Sequence, residues 1–246
     1  MMNTTSQLPD VMIKDILLNG EIELKGQFVL GYNYTFLVHV TYKKDSIQAV
    51  YKPSQGEQPL WDFPPDSLSK REMAAYLVSQ ALGWDLVPTT VLCERGPFGS
   101  GSLQCFIEHD PEMHYFNFNE EIKSRLGPVA LFDVIINNAD RKGGHLLLDG
   151  NKKIWLIDHG LCFHEEDKLR TVIWDFAGET IPQELLTSLV NLKTALDNPL
   201  DLYVDLANHL SGDELAALQS RCEQLITDGI FPFPPRDRRA FPYPPI

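Results

Sequence analysis

Apolar and polar residues alternate through the first third of the chain. The segments Glu21–Leu24, Thr35–Tyr42 and Ser46–Tyr51 carry β-branched or alternating apolar positions, with Asp45 at a turn between the last two. A period of two places successive side chains on opposite faces of a strand, so these segments are predicted as half-buried strands. A proline-rich stretch from Pro53 to Pro65 interrupts the pattern and ends at Asp66. Helical spacing then takes over in SKREMAAYLVSQAL, predicting a helix over Arg71–Leu82 with Ser67 or Ser69 as N-cap and Gly83 as its stop. Strands are predicted again at Val87–Cys93 and Leu103–Glu108, on either side of a glycine-rich turn at Gly96–Gly101.

Beyond a turn at His109–Glu112, which is the expected lobe boundary, the chain reads as mainly helical. Glu120–Asn137 is predicted as one helix with a strongly apolar second half (VALFDVIIN). A polar loop over Asn138–Gly144 follows. Short strands at Leu146–Leu148 and Ile154–Ile157 then flank a turn at Asp149–Lys152. Two more helices are expected, at Gln183–Ala195 and Gly212–Asp228. The final stretch, IFPFPPRDRRAFPYPPI, is expected to lie extended across the surface, because proline forbids helix while the aromatics favour burial.

Composition narrows the function classes. The 246 residues are 43% apolar, enough for a sizeable core, which excludes wholesale disorder. Lys and Arg number 21 against 34 Asp and Glu, a formal net charge of −13. So acidic a chain lacks the basic surface that sequence-independent nucleic-acid binding requires, and anionic membranes repel it. Any anionic ligand must be held by a local set of cations, metals and backbone amides. Cys93, Cys105, Cys162 and Cys222 form no CxxC pair, as expected for reduced thiols rather than a disulfide framework or zinc site. The start MMNTTSQLPD has no basic-then-apolar signal, and no apolar run reaches membrane-span length. The expected location is the cytoplasm.

The segment Asn137-Asn138-Ala139-Asp140-Arg141-Lys142-Gly143-Gly144-His145, followed by Ile157-Asp158-His159-Gly160, carries the chemistry. Phosphoryl transfer needs one carboxylate to orient the attacking hydroxyl and further ligands to hold metal on the phosphates. Asp140 after a helix, His145 five residues on, and Asp158 beyond a hairpin and before Gly160 reproduce that order. Upstream, Lys52 ends an apolar strand and Glu72 opens the next helix, an arrangement in which the lysine binds phosphates and the glutamate holds it. Singly, each has a plainer reading: a loop turn for Asp140, a strand end for Asp158, a solvated lysine and a capping glutamate. Their order along one chain favours the site.

The strings YKPSQGEQPLW, SKREMAAYLVSQALGWDLVP, FDVIINNADRKGGHLLL and WLIDHGLCF resemble the catalytic region of the phosphatidylinositol 3-/4-kinase-like superfamily. The likeness is nearest to type II phosphatidylinositol 4-kinases and their bacterial relatives, including HipA-type serine kinases. NNADRKGGH with IDHGLCFH and LRTVIWDFAGE resembles, more narrowly, an uncharacterised bacterial kinase-related family. The resemblance spans roughly Gly31 to Pro182. It implies a bilobal, kinase-like α+β fold, with a β-rich lobe over residues 1–110, a mainly helical lobe over 111–246, and ATP in the cleft. It would make Lys52 the phosphate-binding lysine, Glu72 its partner, Asp140 the catalytic carboxylate and Asp158 a metal ligand. Phe106, Ile107 and Glu108 would be the hinge that contacts adenine.

Two departures matter. His145 stands where those families carry Asn, and imidazole is a softer ligand than an amide oxygen, which suits Mn²⁺ better than Mg²⁺. There is no G-x-G-x-x-G, so Gly31, Asn33, Tyr34 and Thr35 are the expected phosphate cover. Arg170 reads equally as a cation reaching substrate phosphate or carboxylate and as part of a surface strand with Trp174 in the core. Lys142 reads as a solvated loop lysine before it reads as a phosphate contact beside Asp140. His109, His114, His145, His159 and His164 show no metallohydrolase spacing. A kinase using ATP and Mg²⁺ or Mn²⁺, with an unassigned hydroxyl-bearing acceptor, stands first. A non-catalytic nucleotide-binding module, or transfer of AMP in place of phosphate, are the alternatives.

Overall fold

The structure, a computed structural model, describes residues 8–28, 33–198, 200 and 202–246. Among them the amino-terminal strands form one antiparallel sheet in the order β1-β2-β3-β5-β4: β1 Glu21–Gln27, β2 Phe36–Tyr42, β3 Asp45–Pro53, β4 Thr90–Gly96 and β5 Gly99–Cys105. In β3 the odd positions Ile47, Ala49 and Tyr51 are buried, and they pack with Val38, Val40, Val91 and Leu103 under helix α1 (Asp10–Asn19). The alternation therefore aims Lys52 and Val50 away from α1, at the opposite face of the sheet. At the end of β3, Pro53 pairs with Gly101, where an added Cβ would run into the Lys52 carbonyl. Glycine thus lets β5 lie close against the strand end that presents Lys52.

Helix α2 (Leu68–Leu82) belongs to a second and larger core, built with α4 (Gly127–Ile135), the β6–β7 hairpin (Leu146–Leu148 and Ile154–Leu156), α5 (Gln183–Asp197) and α7 (Gly212–Asp228). Its Ala74, Ala75 and Val78 are fully buried there. Arg71 is buried too, forming an ion pair with Glu214 of α7 and donating to the Cys162 carbonyl at 2.6 Å. The expected serine cap is not used at the start of this helix. Ser67 donates instead to the Pro64 carbonyl, and the Glu57 carboxylate accepts the Leu68 and Ser69 amides at 3.2 and 3.1 Å. Glu57→Ala is expected to cost about 1 kcal/mol, the usual worth of a lost N-cap. Urea midpoints measure it, and an unchanged midpoint would place the cap elsewhere.

Two further elements differ from the sequence reading. α1 has no counterpart in it; Ile13, Ile16 and Leu17 of this helix recur at helical spacing and close the sheet core. The single helix expected over Glu120–Asn137 is two, α3 (Glu120–Lys123) and α4, because Pro128 in the first turn of α4 has no N–H to continue an earlier turn. β6 and β7 pair as expected, Leu146 opposite Leu156. A short helix α6 (Leu202–Ala207) lies between α5 and α7. Gly229, at positive φ, ends α7 in the left-handed manner glycine favours.

Candidate active site

β3, α2 and the residue after the β6–β7 hairpin bring Lys52, Glu72 and Asp158 together. Lys52 Nζ makes a close ion pair with Glu72 Oε1 and lies 3.1 Å from Asp158 Oδ1. Burial alone would lower the lysine pKa, but the Asp158 and Glu72 carboxylates outweigh it and hold the ammonium well above its ordinary range. Asp158 is held well below the usual carboxylate range, first by Lys52 and against the effect of burial. Its backbone has φ 63°, a left-handed conformation that aspartate tolerates better than most residues and that often marks functional sites.

Asp140 sits across from this cluster on the loop after α4. Its amide donates to Asn138 Oδ1 at 2.9 Å, and its Oδ2 lies 3.3 Å from Lys142 Nζ. Burial pushes its pKa up to about 6; Lys142 opposes that rise and the Asp158 charge adds to it. Arg170 reaches the same loop, its Nε donating to the Ala139 carbonyl at 2.6 Å. The loop is further laced by backbone bonds from Ala139 to Leu161 and from Arg141 to Arg170.

His145 Nε2 is 3.3 Å from Asp158 Oδ2, so these two residues also converge. The Lys142 amide donates to His145 Nδ1 at 3.4 Å, which leaves the ring proton on Nε2, facing the carboxylate. Burial pushes the His145 pKa down to about 4, and the ring is neutral at neutral pH. Among the described residues, no group of three or more His, Cys, Asp or Glu side chains is arranged to hold a metal. Asp158, with a half-exposed carboxylate, fits a hard divalent cation that takes its other ligands from phosphate and water. His145 fits as a second ligand only in its other tautomer.

The remaining expected residues divide. Phe106 and Ile107 are half-buried and Glu108 is exposed in the segment that leaves β5. The Phe106 amide bonds the Gln48 carbonyl at 3.0 Å, and the Ile107 carbonyl meets the His109 ring at 2.7 Å. Asn33 accepts from the Gln58 amide at 2.7 Å and Tyr34 lies on Gly56, so residues 33–35 dock on the turn that follows β3. Gly31 lies outside the described residues.

A buried network behind the site was not singled out in the sequence. Asp133 and Arg141, both fully buried, pair at 2.9 Å, and Thr171 Oγ1 and Asn138 Nδ2 complete the carboxylate's partners at 2.9 and 3.2 Å. Arg141 also donates to the Ile157 carbonyl at 2.8 Å and meets His159 Nε2 at 2.9 Å. Glu72 Oε2 accepts the His159 amide at 3.1 Å. The one sequence signal was Asp133 itself, a lone charge inside the apolar run VALFDVIIN.

A family model described as phosphatidylinositol 3- and 4-kinase matches residues 66–210. The match begins downstream of Lys52. Protein Rv2133c of Mycobacterium tuberculosis is 37% identical over 264 residues, covering 93% of this chain and 94% of that protein. Phosphatidylinositol 4-kinase gamma 4 of Oryza sativa subsp. japonica is 29% identical over 122 residues, 42% of this chain and 22% of the rice protein. Among solved structures, the Golgi casein kinase with Mn/ADP bound has a TM-score of 0.55 at 16% identity, over 89% of this chain and 76% of that one. The Helicobacter pylori proinflammatory kinase CtkA has a TM-score of 0.51 at 14% identity, over 87% and 94%. At those identities the solved structures establish the fold alone: an α+β, kinase-like arrangement of a sheet lobe and helices.

Proposed function

Given that the chain belongs to the phosphatidylinositol 3- and 4-kinase family, we propose that it moves the γ-phosphoryl group of ATP to a hydroxyl acceptor in a cleft between residues 1–110 and 111–246. The observation that carries this reading is the convergence of Lys52, Glu72 and Asp158 from a strand, a helix and a post-hairpin turn, with Asp140 and His145 beside them. Lys52 stays protonated and offers its N–H groups to the α- and β-phosphates, while Glu72 fixes the lysine. Asp140 orients the acceptor hydroxyl. As the acceptor oxygen bonds to Pγ, the bond from Pγ to the β–γ bridging oxygen breaks, ADP leaves, and the hydroxyl proton passes to Asp140. A divalent cation, Mg²⁺ or Mn²⁺, held by Asp158 and His145 would neutralise charge on the phosphate oxygens. Adenine lies against Phe106–Glu108, and Asn33–Thr35 cover the phosphates in this reading.

The acceptor is read as a protein serine or a hydroxylated small molecule sooner than a membrane phosphoinositide, because the net charge of −13 opposes an anionic bilayer. Among the described residues no helix is long and apolar enough to cross a membrane. A cytoplasmic location belongs to the same proposal. The second reading, a nucleotide-binding module without turnover, is favoured by the His145 N–H that faces Asp158. ADP release with water as default acceptor separates the two. Lys52→Ala is expected to lower turnover about 10-fold or more, the loss of a charge-assisted phosphate contact. Equal rates in wild type and Lys52→Ala would remove the lysine, and with it this use of the cleft.

A further inference from the structure

His159 follows the proposed metal ligand and is wholly buried, with Phe132 edge-on to its ring at 5.9 Å. A space-filling residue at that point would serve as well if it were Leu or Phe. The polar contacts say more. A guanidinium has five N–H donors and no acceptor, so the 2.9 Å contact between Arg141 Nη2 and His159 Nε2 requires a lone pair on Nε2. A protonated ring would carry N–H on both nitrogens, offer no lone pair to this donor, and set a second cation against the guanidinium in the core. The ring proton therefore resides on Nδ1. That nitrogen is buried, has no hydrogen-bond partner, and lies 3.6 Å from Glu72 Oε2. The same oxygen accepts the His159 backbone amide.

We propose that His159, fixed as its Nδ1–H tautomer by Arg141, is a positioning residue that holds the Glu72 carboxylate in reach of Lys52. One Glu72 oxygen meets Lys52 and the other faces both N–H groups of His159. Arg141 is in turn fixed by Asp133 and the Ile157 carbonyl, so the line runs from the loop beside Asp140 through His159 to α2. The ring-to-carboxylate approach is longer than a hydrogen bond, as contacts in ligand-free sites often are before substrate tightens them. This inference rests on the phosphotransfer reading for what Lys52 and Glu72 do, but the pairing itself does not depend on it.

Two measurements test it. Long-range ¹H–¹⁵N correlation spectra of ¹⁵N-histidine-labelled full-length protein, with His159 assigned by its loss in His159→Leu, report the tautomer directly. A neutral ring protonated on Nδ1 is expected; a ring protonated on Nε2 overturns the proposal whether or not ATP is a substrate. The KM for ATP then reads the positioning. His159→Leu is expected to raise it about 10-fold, with the smaller share of the effect in kcat. His159→Asn, whose amide N–H₂ stands near the Nδ1 position, is expected to recover most of that loss. Both variants leave Arg141 without its acceptor, so the difference between them isolates the donor to Glu72. Equal KM values in wild type, Leu and Asn overturn the positioning role. Absence of turnover in wild type sinks the phosphotransfer reading, and the tautomer still decides the pairing.

Discussion

Asp140→Asn is expected to lower ATP turnover by about 10²–10⁴-fold, the usual contribution of a positioned acid–base group, while leaving the protein at least as stable at neutral pH. The two halves of that expectation share one cause. Burial raises the Asp140 pKa to about 6, against the opposing charge of Lys142. A folded pKa above the unfolded value of about 3.9 means that the native state binds more protons between the two. The stabilising contribution of this group is thus present below about pH 4 and is lost as pH rises through 6. Replacing the carboxylate by a neutral isostere removes a group that at pH 7 is charged in a partly buried place. In the proposed mechanism the active form is the carboxylate, so wild-type turnover should fall on the acid side with a midpoint near 6. Steady-state ADP release across pH, with thermal melts of both proteins, checks each part. A variant that keeps its turnover would take the orienting role away from Asp140.

Asp133→Ala carries the largest expected loss of stability. Its carboxylate is fully buried and accepts from Arg141, Thr171 and Asn138. Truncating it leaves the Arg141 charge in the core without its counterion, a change that costs about 3–5 kcal/mol. For a chain of this size that corresponds to a fall in Tm of about 6–20 °C. Thermal unfolding followed by circular dichroism measures it. A Tm indistinguishable from that of wild type would mean that Arg141 finds another partner, and that the network behind the site is not fixed by Asp133.

The sequence made legible what depends on local period and order. Alternation in β3 put Lys52 on the face away from the sheet core, and the order of Lys52, Glu72, Asp140, His145 and Asp158 anticipated residues that converge in space. Hidden were the contacts between distant segments. Glu57 caps α2 across the proline-rich stretch, where the sequence offers a local serine. Arg71 finds Glu214 from the far end of the chain. The break before α4 did have a local signal in Gly127-Pro128, which the apolar run after it outweighed. Asp133 looks like a lone charge in an apolar run and His159 like a neighbour of Asp158 until Arg141 is seen between them. The tail was expected to lie on the surface. There it touches the site's own loop, the Pro245 carbonyl accepting the Gly143 amide at 2.8 Å, and the segment beyond Asp158, where Ala240 accepts from the Thr171 amide and the Trp174 indole.

The central claim is that nucleotide and metal bind together at Asp158. Calorimetric titration of ATP, first with Mg²⁺ and then with Mn²⁺, into wild type and Asp158→Ala tests it most directly. Metal-dependent binding in wild type that is lost in the variant is the predicted result. Failure of wild type to bind ATP with either cation, or equal binding by both proteins, would contradict it.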